Sequence, residues 1–205
     1  MTYDANRHHR RSIRLPDYDY ARAGAYFVTV CAEGHTCLFG DIIDGQMRLT
    51  RLGENADECW QEMPVHFGGV RLDAFVVMPN HVHGIIMIAD AGGATVGATH
   101  ASPVQQFRRA IPNGPKPRSI GTIIGSYKSA VSKRINDIRA TPGVWATHAS
   151  PLRVWQRNYY EHVIRNQESL NRIRLYIMNN PASWMLDREN PQAECYGQEE
   201  RIEQS

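Results

Sequence analysis

The sequence predicts an α+β domain, an antiparallel sheet with helices packed on one face. Three observations carry that prediction. Residues 25–31, 70–78, 81–88 and 154–164 are rich in β-branched and aromatic side chains and read as strands or extended segments. Residues 55–63, 119–138 and 167–180 place their apolar side chains at helical spacing. The two sets interleave as strand, helix, strand, strand, helix, strand, helix. Two split β-α-β units in that order correspond to a ferredoxin-like antiparallel sheet with helices on one side.

Each element has a local cause. Ala25-Tyr-Phe-Val-Thr-Val-Cys31 opens the sheet, and residues 37–49 form a short hairpin turning at Asp44-Gly45. Ala56, Cys59, Trp60 and Met63 set the period of the first helix. Pro79-Asn80 forms a tight turn between two apolar strands, Pro suiting the first central position and Asn the second. Ile120, Ile123, Ile124, Tyr127, Val131, Ile135 and Ile138 make one apolar stripe along the longest helix. The last helix is stopped by Pro181. Residues 89–118, rich in Gly, Ala, Pro and Thr without a period, form a long loop insertion. The hexamer Ala-Thr-His-Ala-Ser-Pro occurs at 98–103 and again at 146–151, each time in an expected loop, so His100 and His148 are not taken as ligands. The expected organisation is a basic N-terminal arm at 1–24, one domain at 25–186 and an acidic tail at 187–205.

Bulk properties narrow the function. A chain of 205 residues suits one domain of ordinary size. No apolar run approaches the roughly 20 residues of a membrane span, and the basic start leads into no apolar stretch of a secretory signal. Cys31, Cys37, Cys59 and Cys195 are scattered with no Cys-x-x-Cys pair, which argues against a zinc ribbon or disulfide scaffold and fits a reducing cytoplasm. Net charge is only +2, but residues 104–136 carry seven Lys or Arg and no acid, whereas the tail is mostly acidic. Clustered positive charge suits a polyanion partner.

His81-Val82-His83 is the most informative pattern. Strand side chains alternate, so the two imidazoles share a face and can share one cation. Paired strand histidines are also found simply hydrogen-bonded, so the pattern needs company. The last helix supplies it. Tyr176 and Asn180 are four residues apart on one helical face, at the edge of the Leu170, Ile173, Ile177 stripe, with Arg172 one turn earlier on the same flank. Two imidazoles, an amide oxygen and a phenol, with basic surface nearby, form a set able to handle a phosphodiester. Tyr159, Tyr160 and Tyr127 are the rival phenols, the first two placed in a strand and the third on a core stripe.

These residues resemble a known family. Arg10-Arg-Ser-Ile-Arg-Leu15, Tyr26-Phe-Val-Thr29, the stretch 76–84 with His81-Val-His83, Trp155-Gln-Arg-Asn-Tyr-Tyr-Glu-His162, Ile164-Arg-Asn166 and Tyr176-Ile-Met-Asn-Asn-Pro181 are similar to the REP-associated tyrosine transposases, single-tyrosine members of the HUH endonuclease superfamily. The similarity spans most of residues 10–191. It implies a metal-dependent single-stranded DNA endonuclease and strand transferase with a 5′-phosphotyrosine intermediate, acting at hairpin-forming, REP-like palindromic sequences. It places the nucleophile on Tyr176 and the metal on His81, His83 and Asn180, with Mg²⁺ or Mn²⁺ as the ion. Relatives use Gln where Asn180 stands, and shorter members lack the long loop. Arg7, Arg10, Arg11, Arg14, Lys128, Lys133, Arg134 and Arg172 are the candidate DNA-backbone contacts. The expected partner is single-stranded DNA with hairpins, the expected assembly a monomer or homodimer. Two alternatives remain at this point: a hairpin-DNA-binding regulator of the same fold that does not cleave, and a two-histidine phosphoesterase acting on small molecules.

Overall fold

The computed structural model describes residues 18–89, 118–140, 150–191 and 193. Arg7, Arg10, Arg11 and Arg14, nearly all of the 89–118 loop, the first hexamer and most of the second, and most of the acidic tail lie outside the described residues.

Four strands form the main sheet: β1 (Gly24–Cys31), β4 (Val70–Val77), β5 (His81–Ile88) and β6 (Tyr160–Ile164). The short hairpin of β2 (Gly40–Ile43) and β3 (Gln46–Leu49) stands apart as a second sheet. It turns at Asp44-Gly45 as expected, both at positive φ (53° and 70°), where Asp and Gly are tolerated. Spatial order in the main sheet is β4-β5-β1-β6, with every neighbouring pair antiparallel. That is the expected ferredoxin-like order, in which each helical crossover skips one strand.

The helices are α1 (Arg51–Gln61), the single turn α2 (Met63–His66), α3 (Ile120–Ala140) and α4 (Gln167–Asn179). Thr50 caps α1, its side chain accepting from the Gly53 N–H, so the helix begins four residues earlier than its apolar period alone indicates. The expected strand at 154–164 is shorter: only β6 pairs continuously, and Trp155 makes an isolated bridge with Ala32.

Alternation on β1 and β5 divides the molecule into two cores. Tyr26, Val28, Val30, Val82 and Ile86 face α1 and α3, where they meet Trp60, Ile123 and Tyr127. Phe27 and Ile85 face the other way and meet Leu170 and Ile177 of α4. Helices α1 and α3 therefore share one face as predicted, but α4 covers the opposite face. The reason is in the strands: with apolar residues at successive positions, both faces need cover. A bulge in β4 between Leu72 and Phe75 keeps Leu72 and Phe75 on the α1/α3 side while turning Ala74 and Val76 toward α4. Asp73 sits in that bulge and takes a paired contact from Arg174 of α4, Nε to Oδ1 and Nη2 to Oδ2 at 2.7 Å each, which pins the helix to the sheet.

Gly84 is required by packing. The Trp60 indole lies over it and stacks on Phe75 with ring centroids 4.4 Å apart, and a Cβ at Gly84 would fall 2.2 Å from Trp60 Cζ2. Gly84→Ala is expected to destabilise the fold by about 1–3 kcal/mol through overpacking, read as a shifted denaturant midpoint. An unchanged midpoint would show that the indole moves freely.

Candidate active site

The site lies on the α4 face of the sheet, where β1 and β5 run side by side. Cys31 is paired across from His81 and Thr29 from His83. Alternation sends all four side chains toward α4, and both imidazoles are buried, His81 at 0% and His83 at 3% exposure.

The orientation of each ring is set from behind. Asn80 donates through Nδ2 to the carbonyls of His35 (3.0 Å) and Glu189 (2.5 Å). Its Oδ1 is thereby turned to His81 Nδ1, 2.8 Å away. An amide oxygen only accepts, so His81 carries its proton on Nδ1 and presents a bare Nε2. His83 Nδ1 lies 2.8 Å from Thr29 Oγ1, and its ring stacks on Phe27. The two Nε2 atoms are 3.0 Å apart.

Tyr176 projects from α4 into the same place. Its hydroxyl is 3.3 Å from His83 Nε2, and its ring meets His83 and Phe27 edge-on. Half of the residue stays exposed, at 48%, facing a cavity of about 660 Å³ also lined by Thr29, Asn180 and Asp187. Asn180 follows α4 as its C-cap and is 3% exposed. Its side chain hydrogen-bonds both Tyr176 and Asp187, while its Oδ1 is buried without a partner. The helix spacing read from the sequence thus places Tyr176 and Asn180 together beside the histidine pair.

Three contributors were missed: Asp187, Glu189 and Asn80. Asp187 follows the 3-10 turn Pro181–Leu186, and its Oδ2 is 3.9 Å from His81 Nε2. The donor atoms of His81, His83 and Asp187 all lie within 4.8 Å of one another. The expected boundary at 186/187 therefore cuts through the site: Asp187 and Glu189 belong to it. Their sequence is a short mixed-charge run without a period and carries no signal of this. Asn80 was read only as a turn residue; its place directly before His-x-His was the available hint.

The expected cations fare differently. Lys128 is committed to three carbonyls, those of Gln156 (2.5 Å), Arg157 (3.1 Å) and Asn158 (3.3 Å), so its ammonium organises that turn instead of standing free for a phosphate. Lys133 pairs with Asp137, and Arg134 with Glu58 and Glu62, on the α1/α3 side away from the histidines. Exposed Arg172 lines a separate cavity with Arg165, His162 and Asn166, not the one holding Tyr176. Arg188, unremarked in the sequence, is exposed at the rim of the site cavity. Among the rival phenols, Tyr127 is buried and donates to the Ala56 carbonyl, Tyr159 donates to Glu161, and Tyr160 lines the cavity 46% exposed.

Electrostatics follow from burial. Burial pushes His83 down to about 3 and, together with the neighbouring His83 and His35, holds His81 well below the usual imidazole value. Both rings are neutral near pH 7. Burial first, then Asp187, raises the Tyr176 phenol, which the Asn180 hydrogen bond partly offsets. Burial also raises Asp187, against the N–H donated by Glu189.

Because the histidines have lower pKa values folded than unfolded, the unfolded chain takes up protons first as pH falls. Their contribution to stability is complete above about 6.5 and declines toward about 3. The metal-free protein in chelator is therefore expected to lose melting temperature beginning near about pH 6.5. A plateau down to the carboxylate range near about 4 would contradict neutral buried rings.

The donor set fits a divalent ion. Two nitrogen ligands at right angles, each about 2.1 Å from one ion, lie about 3.0 Å apart, which is the Nε2 separation here. The unpartnered buried Asn180 Oδ1 and the Asp187 carboxylate add oxygen donors. Imidazole with oxygen donors and no thiolate at this point suits Mn²⁺ or Mg²⁺.

Comparison with known proteins adds three findings. No protein-family model matches the chain. An uncharacterized protein of Haemophilus influenzae is 42% identical over 187 residues, covering 91% of this chain and 96% of that protein. A solved REP-associated tyrosine transposase bound to a REP hairpin superposes with TM-score 0.51 at 15% identity, over 85% of this chain and 74% of that one. The crystal structure of a candidate transposase from Deinococcus radiodurans reaches a TM-score of 0.39 at 16% identity over 83% of this chain and 97% of that one, too loose to argue from. The chain belongs to one family with the Haemophilus influenzae protein, and its fold is that of the REP-associated tyrosine transposase.

Proposed function

We propose that this protein is a transposase-type enzyme that cleaves and rejoins hairpin-bearing single-stranded DNA by transesterification. The observation that carries the reading is the Tyr176 hydroxyl 3.3 Å from the buried histidine pair, open to a cavity of about 660 Å³. The fold shared with a REP-associated tyrosine transposase supports it.

Tyr176 Oη attacks a backbone phosphorus. The P–O3′ bond breaks, a 3′-hydroxyl leaves, and the 5′-phosphate stays on the phenol oxygen. Asp187 lies beside the phenol, shares the Asn180 amide with it and is made more basic by burial; it accepts the phenol proton while the departing 3′ oxygen takes a proton from solvent. On rejoining, the 3′-hydroxyl gives that proton back to solvent as Asp187 returns its own to the phenol oxygen. A phenol is a better leaving group than the sugar alkoxide in the reverse step, so the energy of the broken bond is kept in the phosphotyrosine. Phe27 and Asn180 fix the direction of the phenol, and α4 is held to the sheet by Arg174 and Asp73. His81, His83 and Asn180 would hold Mg²⁺ or Mn²⁺, which when bound supplies Lewis-acid polarisation of the phosphate.

Among the described residues, no helix is long and apolar enough to cross a membrane. With Lys128, Lys133 and Arg134 of α3 engaged in carbonyl contacts and ion pairs, Arg188 and the N-terminal arginines are the better candidates for phosphate contacts. The test is incubation with end-labelled single strands able to fold into hairpins. Cleavage that requires a divalent ion and leaves a free 3′-hydroxyl supports the reading. Binding without cleavage under any divalent ion overturns it in favour of the non-cleaving regulator.

A further inference from the structure

A second group of donors converges in the same cavity and takes no part in the chemistry above. Cys31 ends β1, His35 closes the 3-10 turn Glu33–His35, and Glu189 arrives from beyond α4. Glu189 Oε2 is 3.0 Å from His35 Nδ1 and 3.5 Å from Cys31 Sγ, and the three donor atoms lie within 4.8 Å of one another. Tetrahedral donors at zinc distances of about 2.0–2.3 Å stand about 3.3–3.8 Å apart, so the cluster needs little adjustment to surround an ion. Gln156 Nε2 sits 2.9 Å from the far ring nitrogen of His35, where an outer partner of a metal-bound histidine belongs.

The sequence offered no hint of this site, since its cysteines lack metal-ligand spacing; the three residues meet only through the fold. The cluster is not a thiol nucleophile. Cys31 gives its S–H to Glu189 instead of to His35, and burial followed by the Glu189 charge pushes the thiol up to about 12.

We propose that Cys31, His35 and Glu189 form a second divalent-cation site of thiolate, imidazole and carboxylate donors, selective for zinc over magnesium, that clamps the 187–190 segment against the sheet. Zinc prefers this mixed soft and borderline set, whereas Mg²⁺ takes oxygen ligands. On binding, the sulfur–metal bond forms as the thiol proton is released to solvent. The His35 proton moves from Nδ1 to Nε2, where Gln156 accepts it by turning its amide oxygen inward. The thiolate and carboxylate together balance the ion's two charges, and three protein ligands leave one position for water.

The clamp bears on the histidine pair through one residue. Glu189 donates its N–H to Asp187 Oδ1 and accepts at its carbonyl from Asn80, the residue that orients His81. An ion on Glu189 thus holds both neighbours in place. This inference stands apart from the cleavage reading, because its ligands and its readout are different.

The experiment is titration of the full-length, chelator-stripped protein with Co²⁺ as a spectroscopic stand-in for Zn²⁺. The expected result is a thiolate-to-cobalt charge-transfer band in the near ultraviolet, removed by Zn²⁺ but not by excess Mg²⁺. Cys31→Ser should abolish the band and Glu189→Gln weaken it, with circular dichroism verifying that each variant is folded. The double variant His81→Ala, His83→Ala should keep it. A folded wild-type protein without the band, a band surviving Cys31→Ser, or a band lost in the double-histidine variant would each overturn the proposal. None of these outcomes depends on whether Tyr176 forms an adduct.

Discussion

Tyr176→Phe is expected to remove strand cleavage by at least about 10⁴-fold, since no other group takes over a missing covalent nucleophile. The fold should not suffer. The substitution deletes one hydroxyl on a side chain that is 48% exposed, and the ring keeps its edge-on contacts with Phe27 and His83. Melting temperature and binding of a hairpin-bearing strand should stay near wild type while cleavage disappears. Retained cleavage in Tyr176→Phe would move the chemistry elsewhere, first to Tyr160, which lines the same cavity. Tyr160→Phe is the matched control and should cleave normally.

His83→Ala is expected to produce the second largest loss, about 10³-fold or more in metal-dependent cleavage. His83 is the one residue that both faces the phenol and completes the Nε2 pair. Adding more Mn²⁺ should not rescue it, because a ligand is gone. Asn80→Ala makes the informative contrast. It leaves both imidazoles in place but releases the His81 ring from the hydrogen bond that fixes its proton on Nδ1. Outer partners of this kind are worth about 10–100-fold in metal affinity, so Asn80→Ala should regain activity at high Mn²⁺. Equal behaviour of the two variants would mean that the pair acts through packing and not as ligands.

The parts of this fold that were legible in the sequence are those written in local periodicity. Strand alternation and the Pro79-Asn80 turn placed the histidines on one face, and the four-residue spacing of Tyr176 and Asn180 placed them on one side of α4. Alternation could not reveal that α4 lies opposite α1 and α3. Strands with apolar residues at successive positions, such as residues 85–88 of β5, look the same whichever side each helix takes. The bulge at Asp73 was invisible for a related reason: its effect is a change of register between β4 and β5, a property of two strands and not of one. Asp187 and Glu189 were unreadable because a non-periodic segment carries them back to the sheet, through Asn80 and the Trp184 carbonyl that holds Asn190. The helix cations misled because charge on a sequence does not say whether a partner is present. Lys128 found three carbonyls and Arg134 found two carboxylates.

The most direct measurement is peptide mapping after the wild-type protein has reacted with a hairpin-bearing single strand in Mn²⁺ and been denatured and digested with trypsin. The peptide 175–188 holds Tyr176 as its only tyrosine, and the peptide 158–165 holds Tyr159 and Tyr160. The account predicts a phosphonucleotide mass on the first peptide and none on the second. A cleaved strand with no mass on either, or a mass on 158–165 alone, would contradict it.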